Sequence, residues 1–184
     1  MNILPAAALF AALAAAGCAS DRARAEREGN PAPCPNIVVL QDAARIIDFD
    51  GEQAIENIAY SGEIVDVTST CRYFEDEPIE AGVTIDFAFG KGPKAEANEK
   101  MFAYFVAVTR KDMEVITKKE FPVEVKFGDR PVETASIDID EIVIPRANDN
   151  VSGVNFEIII GFSVTPEQAI FNRSGKSLKF PNLK

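Results

Sequence analysis

From Asn36 to Phe162 apolar and polar residues alternate in short runs, separated by Gly, Pro and acidic turns. This is the period of half-buried strands, not of helices. Residues 37–40 (Ile-Val-Val-Leu) predict a first strand. Residues 42–47 predict a helical turn capped by Asp42, or an irregular connection. Residues 63–73 predict a strand with Val65, Val67, Cys71 and Tyr73 inward and Asp66, Thr68, Thr70 and Arg72 outward. Val83, Ile85, Phe87 and Phe89 alternate with Thr84, Asp86 and Ala88, and residues 102–108 are apolar on both faces, the mark of a central strand. A turn at residues 110–112 leads into a hairpin partner over 113–119. Residues 121–127 keep the spacing, with Pro122 marking an edge, a bulge or a crossing between sheets.

In residues 137–144 the apolar parity changes, from Ile137 and Ile139 to Ile142 and Ile144. One extra residue near Asp140 or Glu141, a β-bulge, restores the inward face. Val154, Phe156, Ile158, Ile160 and Phe162 predict the last long strand. Thr165-Pro166-Glu167-Gln168 then combines a cap, Pro at the first helical position and Gln at the third, opening a short helix that Gly175 stops. Seven or eight strands in hairpin order without long helices between them predict an all-β fold, an antiparallel β-sandwich of immunoglobulin-like type with a short C-terminal helix. A closed barrel is the alternative. The chain lacks Trp, and its first candidate bridging Cys precedes the first strand, so the expectation is of an architecture and not of the antibody family.

The N-terminus follows another pattern. Residues 1–17 carry no charged side chain and end in small residues before Gly17-Cys18. Seventeen helical residues span roughly 25 Å, short for a bilayer, and a short apolar run closed by small residues has the form of a cleaved signal peptide. Ala15-Ala16-Gly17-Cys18 resembles the lipobox of bacterial lipoproteins, although Ala15 stands where that class usually has Leu and no Lys or Arg precedes the apolar run. The resemblance implies that Cys18 becomes the mature N-terminus and carries lipid, palmitate included. Ala19, standing where lipoproteins of the inner membrane resemble one another in having Asp, implies the outer membrane, with the domain facing the periplasm. Residues 18–35 then form the lipidated Cys and a polar, Pro-ended tether, 36–164 the sandwich, and 165–184 a short helix and basic tail. With Cys18 lipidated, Cys34 and Cys71 remain, and two Cys in an oxidising compartment suggest one structural disulfide.

Charge and composition narrow the chemistry. A net charge of −10 argues against nucleic acid as a partner, because phosphate binding needs a basic surface. The absence of His excludes Ser-His-Asp and Cys-His catalysis and every His-containing metal site. The acidic stretch at residues 75–80 and the Asp48-Phe49-Asp50-Gly51-Glu52 run carry clustered carboxylates but read as solvated turns, as does Asn148-Asp149-Asn150. Asp138 and Asp140 share a strand face and could serve acid–base hydrolysis, with no accompanying signal of a cleft. Phe102 and Tyr104 are the candidate binding residues, on the view that one face of their strand is open to a partner or a glycan. No cofactor or metal is expected. These features predict a lipid-anchored, non-catalytic envelope module that meets the membrane through Cys18 and an envelope protein through its domain. The second reading is a lipoprotein that holds a glycan or apolar molecule, and a carboxylate-based hydrolase ranks third.

Overall fold

The strand with the most regular alternation organises the rest. In a computed structural model, which describes residues 33–74, 76–111 and 114–177, that strand is β4 (Ile79–Lys91). Ile79, Ala81, Val83, Ile85, Phe87 and Phe89 all point inward and are buried. β4 lies between β3 (Ile58–Arg72) and β7 (Val132–Ile144), and β2 (Arg45–Phe49) extends the sheet beyond β3. The second sheet runs β1 (Asn36–Val39), β8 (Phe156–Phe162), β5 (Glu99–Arg110), β6 (Val115–Lys126). Two separate four-stranded sheets make this an eight-stranded sandwich of the expected all-β, immunoglobulin-like architecture, not a closed barrel.

All pairings are antiparallel except β1 with β8, which is parallel. The reason is connectivity: after β1 the chain crosses to the other sheet and returns to the first only at β5. β5 is central, as its two apolar faces predict, and β6 is an edge, one of the three readings that Pro122 allows.

The core is aromatic at its centre. Phe87 and Phe89 of β4 meet Tyr104 and Phe102 of β5 across the sheets at centroid distances of 5.1 and 4.7 Å. Phe162 of β8 stands 5.6 Å from Phe87. A Cβ at Gly62 of β3 would come within 3.0 Å of the Phe162 ring, so a glycine there makes room for it.

Four local expectations are corrected. Residues 42–47 contain a 3₁₀ turn, Gln41–Ala43, followed by β2; Asp42 caps nothing, and its carboxylate instead accepts from Arg173. β3 begins at Ile58, not at residue 63. Val65 is 39% exposed because the register shifts between Ile64 and Asp66; the extra residue turns Val65 outward and returns Val67 and Cys71 to the inner set. Val154 belongs to a 3₁₀ turn, Gly153–Asn155, and is exposed. The bulge inferred in β7 is present where the parity changes, with Asp140 and Glu141 spanning the position opposite Gly82.

The capping box also forms. Thr165 Oγ1 accepts from the Gln168 N–H at 3.2 Å, and Gln168 Oε1 accepts from the Thr165 N–H at 2.9 Å, opening α1 (Pro166–Arg173). The α1 helix packs beside β2, an edge strand. Gln168 Nε2 donates to the Ile47 carbonyl at 3.2 Å, Asn172 Nδ2 donates to the Arg45 carbonyl at 2.7 Å, and Phe171 meets Phe49 edge-on at 5.4 Å. Edge carbonyls that would face water or another chain are thereby satisfied. Both sheets, the core and α1 lie within residues 33–177, in one compact unit, so a chain beginning at residue 19 carries every described element of the fold.

Truncating Phe162→Ala empties the meeting point of Phe87, Phe89 and Phe102. The expected loss is about 3–5 kcal/mol of unfolding free energy, measured by urea titration followed by circular dichroism.

Candidate functional site

Cys18 lies outside the described residues. Cys34 and Cys71 are joined in a disulfide, with Cα atoms 5.8 Å apart. The bond ties the segment before β1 to the end of β3, and neighbouring residues tighten the same place. The Tyr73 hydroxyl donates to the Pro33 carbonyl and accepts from the Gly153 N–H, each at 3.0 Å. A Cβ on Gly153 would fall 2.2 Å from the Pro33 oxygen, so only glycine permits this approach. Residues 33–35, assigned by sequence to the tether, are therefore part of the folded end.

Arg146 completes this end. Its guanidinium carbon stands 4.5 Å from the centroid of the Tyr73 ring. Its nitrogens donate to the carbonyls of Glu77 at 2.7 Å, Val151 at 3.1 Å, Phe74 at 3.2 Å and Asp149 at 3.5 Å. One planar fork thus ties two loops together. The same fastening brings Asp76 beside Ala147, Asn148 and Asp149, so two of the acidic turns seen in the sequence share one open hollow. Among the described residues no three His, Cys, Asp or Glu side chains are grouped to hold a metal ion. In the third acidic run, Gly51 turns at φ +102°, and Asp48 pairs with Lys100 at 2.6 Å.

The structure places Phe102 and Tyr104 inside the core, each 2% exposed, so neither is available to a partner at the surface. They share the parity of Val106 and Val108, the core-facing set. The outward aromatic of β5 is Phe105, half-buried, with Lys118 Nζ 4.4 Å from its ring centroid. Asp138 lies on the outer face of its sheet, where its Oδ1 accepts from the Thr84 hydroxyl at 2.7 Å; Asp138 and Asp140 are both exposed.

The structure also reveals a feature that the sequence does not announce. The edge strands β6 and β7 end the two sheets on the flank opposite β1 and β2. The core closes incompletely between them: Ile116, Phe121, Ile137 and Ile139 are only half-buried. Val106, Val108, Ile116, Phe121, Ile139 and Ile142 line a groove of about 590 Å³. Thr117 and Lys119 also line it, because they pair with the core-facing Val108 and Val106; Glu141 joins them from the β7 bulge. The groove reaches Val143 and Pro145, at the same end of the sandwich as the disulfide.

Compared with protein-family models, with curated proteins and with solved structures, the chain matches none. Function is therefore read from its own residues.

Two outcomes test this geometry. Removing the disulfide as Cys34→Ser with Cys71→Ser frees a loop closed across a separation of 37 residues. The expected cost is about 3–4 kcal/mol, checked by urea unfolding with and without reductant. Burial pushes the Tyr104 phenol above its ordinary value. Its neutral form is thus favoured by folding, and that stabilisation is complete below the unfolded value of about 10 and is lost as pH rises through the higher folded value. Absorbance titration of phenolate is expected to show a late-ionising step that is missing from Tyr104→Phe. A late step that survives in Tyr104→Phe would contradict the assignment.

Proposed function

We propose that this protein is a lipid-anchored, non-catalytic module of the bacterial envelope, held at the outer membrane through Cys18 and presenting its sandwich to a protein partner in the periplasm. The observation that carries this reading is the fastening of the chain at Pro33 and Cys34 to one end of the sandwich. A polar segment that follows a lipobox-like sequence and meets the domain at a fixed point is suited to act as a tether. The fourteen residues from 19 to 32 reach about 20 Å as a flexible coil and about 45–50 Å when drawn out. The disulfide supports an oxidising compartment. Asp138, held by the Thr84 hydroxyl on an open sheet face, and Asp48, paired with Lys100, support a binding role over acid–base chemistry.

The test compares the native protein with Cys18→Ala in intact envelopes, by fractionation and by crosslinking with mass spectrometry. The native form is expected in the outer-membrane fraction, crosslinked to a defined protein, and the variant in the soluble fraction without that crosslink. A native form that is anchored yet crosslinks to nothing specific would overturn the module reading; equal partitioning of both forms would overturn the anchor.

A further inference from the structure

We propose that the groove between β6 and β7 binds a single-chain zwitterionic amphiphile of the lysophospholipid class. Its alkyl chain lies along Ile116, Phe121, Ile139 and Ile142, its phosphate meets Lys119, and its amine meets Glu141. The first support is shape and chemistry. A groove of about 590 Å³ lies within the range of small-molecule sites, and its floor is aliphatic because it is the unclosed margin of the core. The second is charge. Lys119 on one wall and Glu141 on the other form no ion pair and no side-chain hydrogen bond within the described residues, so an apolar slot opens between a cation and an anion. A head group carrying both charges complements that pair, whereas a simple fatty acid or a simple amine leaves one of them unmatched.

Two other occupants fit less well. An added β-strand is opposed by the inward Lys119, by Pro122 and by the bulge at Asp140 and Glu141, three devices that blunt edges. A second copy of the chain is opposed by the net charge of −10 on each. Position supplies the third support. The groove reaches the disulfide end, where Phe74, Val115, Val143 and Val154 are exposed apolar side chains. On the tether reading this is the end nearest the membrane, the source of such an amphiphile. Binding itself does not depend on that reading.

The test uses residues 19–184 with the disulfide intact and Cys18 absent, so its outcome is separate from anchoring. Lysophosphatidylethanolamine is added below its micellar concentration. Native mass spectrometry is expected to show a 1:1 adduct, and methyl NMR to show shifts at Ile139 and Ile142. Lys119→Glu and Glu141→Lys are each expected to weaken binding about tenfold, and the double exchange to restore it, because the reversed pair accepts a reversed head group. On the unaltered protein, dodecyl phosphate and dodecylamine are each expected to bind about tenfold more weakly than the zwitterion. The proposal is overturned by the absence of an adduct, by shifts elsewhere, by equal affinity for all three amphiphiles, or by a wild-type dimer that already covers these methyl groups.

Discussion

Side chains alternate strictly along a strand, so one inserted residue sends everything beyond it to the opposite face. This sandwich depends on how that constraint is met around β4. β4 itself keeps its inward parity from Ile79 to Phe89 without a break. Each neighbour carries one extra residue: β3 at Val65, and β7 at Asp140 and Glu141. The two insertions fall toward different ends of β4, and each returns its strand to the reference that β4 sets. Without the first, Cys71 would point to solvent and could not reach Cys34. Without the second, Ile142 and Ile144 would leave the core.

The two flanks resolve the edge problem differently. On the β2 side, the amides of Gln168 and Asn172 occupy edge carbonyls, and Phe171 covers Phe49. On the β6–β7 side nothing covers the margin among the described residues, and protection comes from charge, Pro122 and the β7 bulge. The same residues that discourage strand pairing leave an apolar slot with a charge on either lip. The aromatic centre and the disulfide end hold the sandwich, while the open flank combines core residues such as Val108 and Ile142 with the exposed Lys119 and Glu141.

What was legible in the sequence follows from the range of the physics involved. β4, β6 and β8 announce themselves by alternation, β5 by an apolar run on both faces, the β7 bulge by a break in parity, and α1 by a cap whose partners lie three residues apart. The Cys34–Cys71 pairing follows from counting once Cys18 is set aside. Less was legible where a residue type permits either face. Val at a bulge looks like Val in a core, so Val65 was misplaced. β2 is five residues long and has Ile46 and Ile47 both buried, which hides its alternation. Phe102 and Tyr104 were visible as important, but their direction depends on a register shared with Val106. The Lys119–Glu141 groove joins strands that do not hydrogen-bond to one another, so no local spacing encodes it. Arg146 likewise acts through carbonyls more than sixty residues away in sequence.

The fastening at Cys34 also determines how the domain would respond to tension. β1 is four residues long and pairs on one side only, with β8. Alone it would be the weakest strand to pull upon, and a drag on the preceding chain would peel it away. The disulfide diverts that force past β1 into β3, which is flanked by β2 and β4 and shares its longest ladder with β4. Traction arriving through the preceding segment is therefore passed to the long β3–β4 ladder, and the sandwich is not unravelled from its first strand.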